Sequence, residues 1–405
     1  MNVGQVKTNY GTKKWFYILL GILINICLGT VYSWSVFRKP IEGTLQISAT
    51  GSGLPYMFFL FFYAISMPFA GKFIDRYKPR WIAVTGGLLV AAGWILAGYS
   101  GNIYILTISY GIIAGTGVGI VYGVPISVAS KWFPEKRGLA VGLTLLGFGL
   151  TPFLTAPIAR ELIEFKGPLF TFRILGIAFL LIITILSLLL KEPAFKKKTE
   201  ASTRGHSEEK NKDKSSSVLG LPRFYTLWSC YLIGTFSGLM AIGITSPVAE
   251  EIINLRGSTA AFTMSLFAVF NGIGRPFYGW VTDRFSTKSS ALLSYILIFI
   301  ASLMMLYAQE GNLGLYVIAF SLFWFNHGGW LAIAPAATGK FFSTQNYSKN
   351  YGLVFTAYGV GAILGTSISG SIRDWFGSYT YAFYPLLVIS LVGIFISLKY
   401  LKPRK

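Results

Sequence analysis

The sequence predicts an all-α integral membrane protein of twelve transmembrane helices, arranged as two pseudo-symmetric halves of six. Three observations predict it: an apolar composition, apolar runs that recur at the thickness of a bilayer, and an internal repeat about half the chain long. Of 405 residues, 53% are hydrophobic and only 12% charged, against about 25% charged in soluble domains. Mean hydropathy is +0.58. The 45 Gly, 33 Phe and 23 Tyr suit such a protein, because Gly lets transmembrane helices approach closely and aromatic rings anchor them at the interfaces.

Windows of about 20 apolar residues place helices near 14–37, 52–72, 80–99, 103–130, 138–161, 169–190, 222–247, 258–280, 289–308, 313–338, 350–371 and 379–400. The first run follows Lys13-Lys14 and is too long for a signal-peptide core, with no Ala-x-Ala site, so it reads as a retained span. Between the sixth and seventh helices, a polar tract carries Lys196-Lys197-Lys198, Glu208-Glu209 and Ser215-Ser216-Ser217, too few apolar residues to pack. The expected organisation is a six-helix half over residues 1–190, a solvated cytoplasmic linker over 191–221, and a second half over 222–405.

The net charge of +20 would suit nucleic acid, but the positions of the 35 basic residues argue for topology instead. With both ends inside, 27 fall in cytoplasmic segments, seven sit at outer helix ends and Arg275 alone lies within a span. That bias is the positive-inside rule; it predicts both termini in the cytoplasm, a plasma (bacterial inner) membrane location, and no nucleic-acid partner. Cys27 and Cys230 fall in separate apolar segments and read as small hydrophobes, not as a disulfide or metal site. No nucleophile–base pair, metal-ligand cluster or phosphate loop occurs at consistent depth, so neither an enzyme nor a cofactor is expected. A cation exporter would want an intramembrane acid, and a transporter-like receptor a folded cytoplasmic domain; neither is evident.

The halves repeat each other. Gly71-Lys72-Phe73-Ile74-Asp75-Arg76 recurs 208 residues later as Gly279-Trp280-Val281-Thr282-Asp283-Arg284. Pro68-Phe69 likewise matches Pro276-Phe277, and Lys131-Trp132-Phe133 matches Lys340-Phe341-Phe342. The Gly-x-x-x-Asp-Arg pattern, followed by Lys78 and Arg80, resembles the loop 2-3 signature of the major facilitator superfamily. That resemblance implies a fold of two parallel six-helix repeats with a central site. It also makes Gly71, Asp75, Arg76, Arg80, Gly279, Asp283 and Arg284 a gating motif, in which the acids pair with helix ends and basic neighbours and the glycines permit close approach.

The repeat breaks at Arg275, which aligns with Met67. The scaffold therefore tolerates an apolar residue there, and only the second half needs the cation. An arginine near a helix centre costs roughly 2.5 kcal/mol or more and normally serves a function. The competing readings are snorkelling toward the interface or a structural ion pair. No Asp or Glu lies in the middle of a predicted helix, so a substrate carboxylate, held by the guanidinium fork, would supply the missing charge. Asn271 one turn earlier, Tyr32, Tyr122, Trp324 and Tyr358 complete a candidate substrate site at similar depth. His327, the only histidine in a span, is a candidate proton relay or a hydrogen-bonded structural residue.

Val31-Tyr32-Ser33-Trp34, Gly274-Arg275-Pro276-Phe277 with Asp283, and Tyr351 through Gly359 resemble the oxalate:formate antiporter and monocarboxylate transporter branch of that superfamily. The resemblance implies that Arg275 engages the substrate carboxylate. Two departures stand out. Where an oxalate carrier is expected to place a helix-11 lysine, this chain has Tyr358; one pocket cation suits one carboxylate. Where animal monocarboxylate transporters resemble Asp-x-x-x-Arg, this chain has Asn271, which cannot titrate. The expected function is secondary active transport of small monocarboxylates of the lactate, pyruvate or formate type, proton-coupled, by alternating access in a monomer. The alternative is carboxylate exchange of the oxalate:formate type.

Overall fold

The computed structural model describes residues 11–74, 77–133, 137–193, 218–342 and 347–401; the central tract carrying the lysine and serine clusters lies outside them. Among the described residues twelve helical spans run back and forth, and no strand occurs. Span α1 comprises Gly11–Leu28, a tight 3-10 turn at Gly29–Ser33 and Trp34–Leu45. It is followed by α2 (Ala49–Ile74) and α3 (Pro79–Ala97). Span α4 comprises Ile103–Leu106, a π-helical segment Thr107–Ala114 and Gly115–Trp132.

The helical stretch Arg137–Leu189 is two spans, α5 (137–165) and α6 (168–189). Lys166 (φ −142°) and Gly167 (φ 81°, ψ 171°) leave helical geometry between them. Only glycine takes that backbone without strain, and Pro168 is preorganised to start the next helix. The second half holds α7 (Pro222–Glu251), α8 (Gly257–Arg284), α9 (Thr287–Leu306), α10 (Leu313–Phe341) and α11 (Tyr347–Phe376). Span α12 joins Tyr379–Ala382 to Phe383–Tyr400. Length and apolarity alone pick out ten membrane-crossing stretches, because α5 and α6 count as one and α8, with its buried Arg275 and Asn271, is too polar to qualify.

The two halves are built alike. In the first, α1 packs on α5, α2 on α4 and α3 on α6; in the second, α7 packs on α11, α8 on α10 and α9 on α12. Where the halves meet, α2 lies along α11, α5 along α8, and the second part of α1 against α7. The contacts thus obey the two-fold that the repeat requires. Large apolar side chains such as Phe153, Ile177, Leu181, Val388 and Phe395 are exposed on the outer surface, as expected of a surface solvated by lipid. Exposed Tyr99, Tyr104, Phe165, Tyr307 and Trp375 form an aromatic belt near one end of the bundle, and Trp81, Trp280, Phe285 and Tyr400 near the other. The first end is called the opposite face below, the second the basic face.

Candidate functional site

The central site is assembled from both halves. Span α8 carries Asn271 and Arg275 one turn apart, so that both side chains leave the helix on the same side. Arg275 is only 3% exposed; it does not snorkel. Its Nη1 donates to the main-chain carbonyl of Leu145 on α5, at 2.9 Å, and its Nη2 to Asn271 Oδ1 at 3.2 Å. Its Nε–H has no partner, and no carboxylate pairs with it among the described residues. Asn271 in turn donates from Nδ2 to the Trp324 carbonyl at 3.1 Å, fastening α8 to α10. Trp324 completes the link to α7 by donating from Nε1 to Thr245 Oγ1 at 3.2 Å.

A second polar cluster crosses between the halves one ring away. Tyr32 belongs to the 3-10 turn of α1. Its hydroxyl lies 3.0 Å from His327 Nε2 on α10 and 2.9 Å from the Tyr358 hydroxyl on α11. All three residues are fully buried, and His327 Nδ1 has no partner among the described residues. The ring of Tyr32 stands edge-on to those of Phe148, His327 and, more distantly, Trp324. Tyr122 packs edge-on against Tyr63 and Phe148, with ring centroids at 5.2 and 5.3 Å, and its side chain interacts with Arg275. The arrangement is a single fixed cation in a wall of aromatic faces and phenolic hydroxyls, at the seam of two six-helix bodies. A guanidinium fork with unused donors is a receptor for a planar oxyanion.

All seven central residues anticipated from sequence, Arg275, Asn271, Tyr32, Tyr122, Trp324, Tyr358 and His327, are brought together. The gating motif is different. Asp75 and Arg76 lie outside the described residues. Arg80 stacks over its neighbour Trp81, at 5.3 Å. Asp283 pairs with Lys340 of α10 at 3.4 Å, inside its own half, while Arg284 is exposed. Among the described residues, no atom stands within 4 Å of the position a Cβ would take on Gly71 or Gly279.

Several contributors had no distinctive sequence signal: Tyr63 and Phe148 in the aromatic wall, the Leu145 carbonyl, and a charged seam at the opposite face. There, Lys39 of α1 sits 3.6 Å from Glu250 and 3.4 Å from Glu251 of α7. Arg160 of α5 also reaches Glu250, at 3.7 Å, and Arg373 of α11 pairs with Glu251 at 2.7 Å. Arg38, fully buried, donates to carbonyls of Ala49 and Gly243 and to Ser52 Oγ. Asp374 of α11 accepts the N–H groups of Ala49 and Thr50, capping α2 from the other half. The halves are thereby stitched shut on this face.

A family model of the Major Facilitator Superfamily matches residues 15–252 and again 227–405. The chain belongs to the major facilitator superfamily. This major facilitator protein is therefore a multi-pass membrane transporter, not an enzyme. It is 28% identical over 387 residues to the oxalate:formate antiporter of Oxalobacter formigenes, covering 94% of this chain and 90% of that protein. It is 26% identical over 342 residues to monocarboxylate transporter 12 of Xenopus laevis, covering 77% and 72%. Among solved structures it matches a bacterial homologue of the human lysosomal transporter Spinster, inward-facing and unoccupied, with a TM-score of 0.70 at 16% identity and 96% of each chain covered. The nucleoside transporter NupG matches with a TM-score of 0.72 at 13% identity, over 96% of this chain and all of that one. At such identities the solved structures establish the fold alone.

Proposed function

We propose that this transporter carries small organic monocarboxylates across the plasma membrane of a bacterium, by proton-coupled symport and as a monomer. The observation that carries this reading is Arg275: buried between the halves, without a carboxylate partner among the described residues, and facing aromatic and hydroxyl groups. A substrate carboxylate would take the free donors of the guanidinium and neutralise it, while Tyr32, Tyr122 and Tyr358 offer hydroxyls to its remaining oxygens. An intramembrane cation satisfied in this way lets the two halves close on the substrate and reopen on the other side. His327, bonded to Tyr32, is the candidate proton carrier, since Asn271 holds no titrating group. The single cation favours one carboxylate over two. The excess of basic residues at the face bearing the 2-3 and 8-9 loops supports a cytoplasmic placement of that face; on this reading the stitched face is external and the carrier is closed toward the outside.

A second reading, exchange of one carboxylate for another, is favoured by the 94% coverage of this chain in its match to the oxalate:formate antiporter. One experiment separates the readings. Purified protein in proteoliposomes is given labelled lactate or formate under an inward proton gradient, with and without carboxylate inside. Symport predicts accumulation into empty vesicles; exchange predicts uptake only into preloaded ones. Arg275→Met should abolish both, and full uptake by that variant would overturn the assignment of Arg275.

A further inference from the structure

The Arg275 guanidinium is not idle in this structure; it rests on main chain of the other half. The acceptor, the Leu145 carbonyl, also takes the N–H of Gly149 one helical turn on, by ordinary α-helical geometry, and a carbonyl has two lone pairs. What lets a bulky side chain reach that carbonyl is Gly149. A Cβ there would stand 2.8 Å from Asn271 Oδ1, 3.1 Å from Arg275 Nε and 3.2 Å from Arg275 Nη2. Asn271 cannot swing away without losing its bond to the Trp324 carbonyl. The glycine therefore forms a notch in α5, shaped to the Asn271–Arg275 pair of α8.

We propose that Gly149 is a positioning residue whose notch lets Arg275 dock on the Leu145 carbonyl as a stand-in for substrate, so that the empty carrier can reorient. This rests on the reading of Arg275 as the carboxylate receptor. A buried cation without a partner opposes closure of the two halves. A carboxylate supplies the partner on the loaded stroke; the carbonyl, a neutral acceptor of the same geometry, supplies it on the return. Net transport needs the return of the empty carrier, whereas exchange never passes through it.

The test compares Gly149→Ala with the parent protein in proteoliposomes, using formate and lactate. Net uptake into empty vesicles should fall on the order of tenfold, several-fold more than exchange into preloaded vesicles, because the unloaded state loses the most population. An equal fall in both modes, or none in net uptake, overturns the proposal. A second arm needs no substrate: a double-mutant cycle on the melting temperature of ligand-free protein, with Arg275→Met as the other variant. If the notch acts through Arg275, the loss caused by Gly149→Ala shrinks by about half or more once the guanidinium is gone; strictly additive losses would make Gly149 a packing residue only. Absence of any carboxylate transport by the parent protein would refute the carboxylate reading, and the cycle alone would then decide the docking.

Discussion

The hydroxyl of Tyr32, on the first half, lies 3.0 Å from Nε2 of His327, on the second. The same hydroxyl also meets Tyr358, so one phenol joins α1, α10 and α11 in a fully buried cluster. Tyr32→Phe leaves two buried polar groups without that partner, an expected loss of about 1–3 kcal/mol of stability. Thermal unfolding of purified protein measures it. The same variant should slow proton-driven uptake more than exchange if His327 relays the proton, and parallel losses in the two modes would remove His327 from that role.

Tyr358 stands where a second cation would create a dicarboxylate site. Tyr358→Lys should raise the affinity for oxalate relative to formate by about tenfold, one RT-scaled step of 1.4 kcal/mol, read by ligand-induced shifts in melting temperature. No change in that ratio would mean that the phenol does not set the charge of the substrate.

The seam at the opposite face predicts a gate. Glu250 is shared by Lys39 and Arg160 of the other half, so Glu250→Gln removes two cross-half ion pairs at once. Ser35 lies buried just beneath, its hydroxyl 3.1 Å from Met264 Sδ. In a Ser35→Cys background lacking the native thiols Cys27 and Cys230, both buried, Glu250→Gln should speed labelling by an impermeant maleimide several-fold. High salt should act in the same direction by screening the pairs. Unchanged labelling would show that the seam does not hold the gate.

Asp374 caps the start of α2 from α11. Asp374→Ala should lower stability by about 1 kcal/mol, the usual value of an N-cap. Because the cap joins the halves, the same variant should also speed Ser35→Cys labelling. Asp374→Asn, which keeps an acceptor oxygen, should restore most of the stability.

What the sequence disclosed, it disclosed through anomalies. Arg275, Asn271 and His327 stand out as polar groups at bilayer depth, and the 208-residue repeat lays out both bundles. Tyr63 and Phe148 carried no such mark, since nothing distinguishes one ring among 33 Phe and 23 Tyr until the packing chooses it. The Leu145 carbonyl was illegible for a deeper reason: main chain is the same at every residue, and only tertiary approach makes one carbonyl different. The seam is similar. Lys39, Arg160 and Arg373 read as outer-end charges, and their shared acids on α7 emerge only when the halves are set side by side. The break between α5 and α6, by contrast, falls in the gap between the apolar windows 138–161 and 169–190.

The 3-10 turn that holds Tyr32 has a mechanical side. A 3-10 segment rises about 2.0 Å per residue and an α-helix about 1.5 Å, so rewinding Gly29–Ser33 would shorten α1 by about 2.5 Å. Within the turn, the Tyr32 phenol meets His327 and Tyr358 at the centre of the protein; beyond it, Arg38 and Lys39 reach Gly243, Glu250 and Glu251 of the far half. A change in winding of the turn would displace Lys39 by about 2.5 Å, enough to part ion pairs that span 3.4 and 3.6 Å.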